Sequence, residues 1–188
     1  MALNLYDTMT REVREVFSMD GSSVRFYACG PTVYGPAHIG NFRTFVIQDV
    51  FRRVLETSGQ KTFHVRNLTD VDDKTIRQSQ EEGVKLEDFT DKWTARFRKD
   101  CDLLNLLTPH AEPSAVGHIP EQISLIERLI EGGKAYRAND GSVYFKVDAF
   151  PEYGRLSRLA DREITTSETD RESSDEYERD TAADFALW

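Results

Sequence analysis

The chain has 188 residues, is 39% hydrophobic, and carries 24 basic against 33 acidic side chains, a formal net charge of −9. This length and apolar content fit one compact domain, or one domain with an inserted sub-domain, and exclude wholesale disorder. Two cysteines, Cys29 and Cys101, are too few for a disulfide framework. No apolar run is long enough to predict a membrane span or a signal peptide, so a cytoplasmic location is expected. The acidic balance disfavours broad, non-specific nucleic-acid binding.

The first half of the chain has the pattern of a βαβ unit. Residues 24–28 are β-branched and aromatic and predict a strand. Apolar side chains at helical spacing from Asn41 onward predict a helix that ends near Gly59. Residues 61–68 alternate and predict a second strand, with Phe63 and Val65 on one face. The opposite face carries Thr62, His64 and Arg66. A strand, a helix and a strand over about 45 residues favour a parallel sheet with a right-handed crossover.

The second half predicts helices and a hairpin. Acids at 70, 72 and 73 open a short helix. A long helix follows, with its stripe at Leu86, Phe89, Trp93, Phe97, Cys101 and Leu104. A loop is expected around Pro109 and Pro113. Pro120 begins the next helix, which stops at Gly132–Gly133 and has an expected buried face at Ile123, Ile126, Leu129 and Ile130. Asn139-Asp140-Gly141 predicts a hairpin, and the acidic stretch 167–180 predicts a solvated loop.

The isolated histidines and the second cysteine are expected to be structural or solvent-exposed. His64 faces away from the apolar side of its strand and is interpreted as structural. His110 and His118 flank loop sequence and should face solvent. Cys101 lies on the apolar stripe of a helix and is interpreted as a core residue.

The most informative segment is YACGPTVYGPAHIGNFR, residues 27–43, which joins the first strand to the first helix. Open α/β folds bind ligands at this edge of a parallel sheet. Glycines at 30, 35 and 40 permit close backbone approach, and a helix N-terminus attracts anions. His38 could donate a hydrogen bond to a phosphate oxygen. The alternative is a plain Gly/Pro turn with a capping histidine, and the glycine spacing alone does not decide between them.

The combined motifs carry a resemblance to a known family. PAHIGN (36–41) resembles the "HIGH" signature of class I aminoacyl-tRNA synthetases, and CGPTVYGPAHIGNFRT (29–44) resembles its cysteinyl-tRNA synthetase form. NLTDVDDK (67–74), GSVYFKV (141–147), YGRLS (153–157) and DFALW (184–188) extend the resemblance almost end to end. Asn41 replaces the final His of the signature. The expected fold is α/β: a Rossmann-like parallel sheet with an inserted helical and hairpin connective sub-domain.

The resemblance also implies site residues. His38 and Asn41 would be catalytic, within an ATP site that comprises Pro31, Thr32, Tyr34, Gly35, Pro36, His38, Ile39, Gly40 and Asn41. Cys29 would be a zinc ligand, with zinc selecting the substrate thiolate, although a small buried hydrophobe is the alternative. The cysteine pocket would include Gly30, Thr32, Thr69, Asp70 and Asp72. The two acids could bind the substrate ammonium or a ribose, or could simply begin a helix.

The implied activity is ATP-dependent activation of cysteine and its transfer to tRNA(Cys), with zinc and magnesium as cofactors. Residues 1–72 would be the first half of the nucleotide-binding domain and residues 73–188 the connective insertion. The second catalytic half, with a KMSKS-like loop and the remaining zinc ligands, has no counterpart here, nor has the anticodon-binding region. We therefore expect a truncated N-terminal part of an enzyme that is monomeric at full length. The part alone should be inactive, hold no tight zinc and expose a sheet edge that promotes self-association.

Two alternatives remain open from the sequence. One is a cysteine ligase of thiol-cofactor biosynthesis that shares the same front half. The other is a non-catalytic binding module derived from the synthetase.

Overall fold

The structure is a computed structural model that describes residues 3–157 and 183–188. The acidic stretch 167–180 lies outside the described residues. Contacts group the chain into two compact units. One contains the N-terminal residues up to Leu5 together with Val13–Ile119, and the other contains Tyr6–Glu12 together with the described residues from Pro120 onward. The expected division of function at residue 72 stays a prediction. None of the described helices is long and apolar enough to cross a membrane.

The predicted βαβ unit is present. Strand β3 (Val24–Ala28) leads through helix α1 (Ile39–Thr57) to strand β4 (Thr62–Arg66), and the two strands pair in parallel. Gly59 follows α1 with φ of +88°, a left-handed conformation that glycine adopts without steric cost and that ends the helix as predicted. Before this unit, β1 (Asn4–Asp7) and β2 (Glu12–Glu15) pair in a separate two-stranded sheet.

The segment around Pro109 and Pro113 is a loop, as expected, and it makes isolated parallel bridges to the chain at and after β4. Val65 bridges Ala111 in parallel, and the Leu68 N–H donates to the Pro113 carbonyl at 2.8 Å. Proline has no N–H to donate, so its presence predicts a loop. Its carbonyl oxygen can nevertheless accept a hydrogen bond from a neighbouring segment. These bridges hold the loop beside the two-stranded β3–β4 sheet.

The face of β4 that carries His64 and Arg66 is the buried one, which agrees with the interpretation of His64 as structural. Phe63 is 42% exposed, whereas His64 and Arg66 are 3% and 5% exposed. Arg66 tolerates burial because its guanidinium pairs with Glu112 at 2.7 Å. Alternation separates the residues of a strand into two sets, but it does not say which set is packed against helices.

Two helices follow β4, and the second contributes to the core. Asp72 caps α2 (Asp73–Glu81), as its sequence predicted, and α3 (Leu86–Leu103) comes next. The core cluster of this unit joins α1 to α3 and consists of Phe42, Phe45, Phe97 and Cys101. The core assignment of Cys101 is confirmed, and burial raises the pKa of its thiol. Leu104, at the end of the predicted stripe, is instead 45% exposed.

The second unit contains the predicted helix and hairpin. Helix α4 (Ile119–Glu131) is followed by Gly133, whose φ is +67°. Strands β5 (Ala135–Arg137) and β6 (Val143–Phe145) form the antiparallel hairpin, and β7 (Phe185–Ala186) pairs with β6 on its other side. Short 3₁₀ turns occupy Val116–His118, before α4, and Val147–Ala149, after β6.

The expected burial of the apolar face of α4 is wrong. None of its 13 residues is buried, and Ile123 and Ile130 are 41% and 36% exposed. The 3.6-residue periodicity correctly predicted the helix and its apolar stripe. It carries no information about whether another element packs on that stripe.

Candidate functional site

A cavity of about 290 Å³ opens at the carboxyl end of β3. Eight of the residues expected at the site line it: Gly30, Pro31, Thr32, Tyr34, Gly35, Pro36, His38 and Asn41. Six others expected there do not line it: Cys29, Ile39, Gly40, Thr69, Asp70 and Asp72. Five lining residues were not anticipated: Val33, Ala37, Phe45, Lys74 and Phe97. The turn between β3 and α1 therefore supplies most of the wall.

His38 caps helix α1 through its ring. Nδ1 accepts the Gly40 N–H at 3.0 Å, while the His38 backbone N–H donates to Asn41 Oδ1 at 3.1 Å. An acceptor at Nδ1 assigns the proton of the neutral ring to Nε2, so Nε2–H is the donor that His38 can offer a ligand. A Cβ at Gly40 would lie 2.8 Å from His38 Cε1, so glycine leaves the space that the capping ring needs.

Asn41 has its two amide atoms in different roles. Oδ1 accepts the reciprocal capping bond from His38, which leaves Nδ2 as the donor toward the cavity. The first turn of α1 contains no acidic side chain. The helix dipole at this end therefore favours an anion without local carboxylate repulsion.

Asn67 anchors the start of the site loop, and sequence reasoning did not single it out. Its Oδ1 accepts the Gly30 N–H at 2.8 Å and the Tyr27 hydroxyl at 2.9 Å, and its Nδ2 donates to Thr69 Oγ1 at 3.0 Å. A Cβ at Gly30 would lie 1.7 Å from the Asn67 carbonyl oxygen. Glycine is required because the two strand ends approach this closely.

Cys29 is exposed, so the alternative of a small buried hydrophobe is wrong. Its Sγ lies 3.7 Å from the Gly30 carbonyl, and its own carbonyl accepts from Gln48 Nε2 at 3.2 Å. Across residues 3–157 and 183–188, no group of three His, Cys, Asp or Glu side chains is arranged to hold a metal ion. The thiol is therefore accessible, but the described residues do not supply the further ligands that a metal ion would need.

The polar residues that follow β4 make backbone contacts. Thr69 pairs in parallel with Thr32, next to the cavity wall. Asp70 Oδ1 accepts the Val116 N–H at 2.9 Å, and Asp72 Oδ1 accepts the Thr75 N–H at 2.8 Å. Each acid thus has one oxygen engaged by the backbone. Their expected role toward a substrate stays a prediction.

Two aromatic rings line the cavity, and a buried arginine contacts both of them. Phe45 of α1 and Phe97 of α3 line the cavity. The Arg66 guanidinium lies 5.6 Å from the Phe45 ring centroid and 4.9 Å from that of Phe97, within cation–π range. Glu112 neutralises this arginine. These contacts were not predictable from local sequence, because the four residues come from four separate segments.

Comparison with protein families decides the relationship. The model of the tRNA synthetases class I (C) catalytic domain matches residues 15–188. The chain belongs to this family. The predicted α/β class with parallel strands is confirmed by this match.

The relatives of this chain are longer proteins that are named cysteine–tRNA ligases. A cysteine–tRNA ligase of Opitutus terrae is 53% identical over 194 aligned positions, covering 100% of this chain and 42% of the relative. Those of Koribacter versatilis and Methanosarcina acetivorans are 44% and 47% identical, covering 100% and 98% of this chain and 38% of each relative. The chain thus spans about two-fifths of the length of the curated relatives it matches.

A solved structure supports the fold. A LeuRS from Agrobacterium radiobacter K84, determined in ternary complex with tRNA and LeuAMS, superposes with a TM-score of 0.53 at 18% identity. The match covers 63% of this chain and 17% of that chain. At this identity the likeness concerns the fold alone. In such α/β folds the carboxyl ends of the parallel strands are the usual ligand edge, which is where the cavity of the synthetase chain lies.

Proposed function

We propose that this chain supplies the nucleotide-binding part of a cysteine–tRNA ligase. The observation that carries the proposal is the His38-capped N-terminus of α1 beside a cavity that none of the described acidic side chains lines. A helix N-terminus and an imidazole N–H both favour an anionic ligand. The family match and the relatives' names support ATP as the nucleotide, cysteine as the amino acid and tRNA(Cys) as the acceptor.

The proposed reaction has two group transfers. A carboxylate oxygen of cysteine attacks the α-phosphorus of ATP, forming cysteinyl-adenylate and expelling pyrophosphate. A hydroxyl of the terminal ribose of tRNA then attacks the acyl carbon, and AMP leaves. Within this chain, His38 Nε2–H and Asn41 Nδ2–H would donate to phosphate oxygens and stabilise the charge that builds up on them.

The expected zinc and magnesium were tested against the donor atoms of the chain. Tetrahedral zinc sites need at least three protein ligands. Cys29 is the one expected ligand, and the described residues contain no suitable group of three. The described donor set does not fit a zinc or magnesium site of its own, so no step is derived through either ion. Magnesium would arrive with the nucleotide.

The proposed setting of the reaction follows the family. The full-length enzyme would work as a monomer in the cytoplasm. The observations do not favour the two alternatives from the sequence, since the relatives are named as tRNA ligases. Cysteine-dependent ATP–pyrophosphate exchange by a full-length form of the enzyme, followed by charging of tRNA(Cys), would distinguish the tRNA ligase from the two alternative hypotheses. Exchange without charging would indicate a small-molecule acceptor, and no exchange at all would indicate a binding module.

The nucleotide site can be tested on the chain itself by calorimetric titration with ATP. His38→Ala should weaken binding by roughly five- to tenfold, since a hydrogen bond to a charged group is lost. His38→Ser retains a capping oxygen but lacks Nε2–H, so it should weaken binding as well while sparing the helix. His118→Ala, an exposed histidine outside the cavity, is the matched control. Equal ATP affinity for the wild type and both His38 variants would contradict the proposal.

A further inference from the structure

Lys74 is a cation of the cavity wall that the sequence did not single out. It lies in the first turn of α2 and lines the same cavity as His38. Its Nζ lies 5.4 Å from the centroid of the Tyr34 ring. Among the residues that the structure describes, no acid comes within 4.0 Å of Nζ to form an ion pair with it. The ammonium group is therefore oriented by an aromatic ring but is not neutralised.

The position of Lys74 is poor for helix stability. Cations are unfavourable near a helix N-terminus, because the dipole places partial positive charge there. The exposed cation–π contact with Tyr34 offsets this cost only in part. A lysine at this place is better explained by an interaction with something that enters the cavity than by the stability of α2.

The lining residues also indicate the class of ligand. Lys74 carries the one full positive charge among them, and none of these described residues is acidic. A zwitterionic amino acid would need a carboxylate or a set of carbonyl acceptors for its ammonium group in addition to a cation. A polyphosphate needs only donors and positive charge, which this wall provides through Lys74, His38 and the N-terminus of α1.

From this arrangement we infer that Lys74 binds a phosphate oxygen of the nucleotide's polyphosphate chain. The inference rests on the proposed function and extends it by a second phosphate-binding side chain from a different element. Tyr34 would hold the lysine over the cavity before the nucleotide arrives. His38 and Lys74 would then contact the phosphates from α1 and α2 respectively.

The test compares three variants of the 188-residue chain by calorimetric titration with ATP, inorganic tripolyphosphate and adenosine. Lys74→Gln should weaken ATP and tripolyphosphate binding roughly tenfold and leave adenosine binding unchanged. Lys74→Arg should restore most of the affinity, since it keeps the charge. Lys92→Gln is the matched control: Lys92 also lies over an aromatic ring, Trp93 at 4.9 Å, but outside the cavity. Thermal unfolding of each variant checks that α2 remains folded.

Each outcome supports or overturns the inference. Unchanged ATP and tripolyphosphate binding in Lys74→Gln, with binding still weakened by His38→Ala, overturns the role of Lys74 and leaves the proposed function standing. Wild-type chain that binds neither ATP nor tripolyphosphate overturns both. If Lys74→Gln abolishes binding of free L-cysteine but not of ATP, the cation serves a carboxylate and the phosphate assignment is wrong.

Discussion

The burial of His64 allows a quantitative prediction of how the stability of the folded chain falls at acid pH. The ring is 3% exposed and stacks on Phe26 at a centroid distance of 4.5 Å, and neither of its nitrogens has a hydrogen-bond partner among the described residues. Burial, reinforced by the positive charge of Arg66, lowers the pKa of His64 from 6.5 to about 4. The folded chain therefore holds this ring neutral at pH values where the unfolded chain protonates it.

The sign and size of the effect follow from proton linkage. Above pH 6.5 the ring is neutral in both states and makes no pH-dependent contribution. As the pH falls from 6.5 to 4, the unfolded state gains a proton first, so the free energy of unfolding decreases. A pKa difference of about 2.5 corresponds to at most about 3 kcal/mol, lost in full near pH 4. This is a large fraction of the stability of an ordinary domain.

The assay is urea unfolding of wild type and His64→Phe between pH 7.5 and 4.5, with the Cε1–H NMR titration of the same histidine. Phe keeps the stacked ring and removes both ring nitrogens. The free energy of unfolding of the variant, relative to that of the wild type, should therefore rise by about 2–3 kcal/mol as the pH falls across this range. His118→Gln, which alters an exposed histidine, should track the wild type. A stability difference independent of pH, or an NMR midpoint for His64 near 6.5, would refute the reasoning.

Two further predictions concern the support of the cavity and are measured by urea unfolding at neutral pH. Gly30→Ala should destabilise the chain by about 2 kcal/mol or more, since its Cβ would overlap a backbone carbonyl. Gly35→Ala, where the same Cβ meets nothing within 4 Å, should change stability by less than about 0.5 kcal/mol, and equal costs would contradict the geometry. Arg66→Met should cost about 3 kcal/mol, because one member of a buried ion pair is removed. Arg98→Met removes the exposed partner of the same glutamate and should cost under about 1 kcal/mol; the reverse order would show that the buried pair is not the stronger one.

The secondary structure was largely predictable because its signals are local. Residues 24–28 form the predicted strand, and glycines at 59 and 133 adopt the positive φ expected after α1 and α4. The errors concern long-range packing. The alternation along β4 did not say that the face with His64 and Arg66 is the buried one, and no residue of α4 is buried although its periodicity suggested burial. Neither outcome depends on the local pattern, since each is decided by what the rest of the chain places against the element.

The contrast between local signals and long-range packing also explains which site residues were predictable from the sequence and which were not. The eight expected lining residues come from one continuous stretch, residues 30–41, so a single motif contains them all. Lys74, Phe45 and Phe97 reach the cavity from three helices. Lys74 ends the NLTDVDDK stretch of the resemblance and is a cation at the start of α2, but neither signal assigned it a role. Asn67 had a weaker signal: an amide directly after a strand, where it can accept hydrogen bonds from the neighbouring strand's end.

These observations imply that ligand binding and loop geometry are separable in mutants. Most of the residues that line the cavity lie between β3 and the first turn of α1, but a contact that holds this segment comes from a position 37 residues later, where Asn67 binds Gly30. Removing a donor such as His38 Nε2–H should therefore weaken a ligand without changing the fold, because the ring's capping role can be filled by another acceptor. Removing the Asn67 amide should leave every cavity side chain in the sequence yet misplace the loop, because the Gly30 N–H and the Tyr27 hydroxyl would lose their common acceptor. The chemistry of the site is thus encoded locally, whereas its positioning depends on the parallel pairing of β3 with β4.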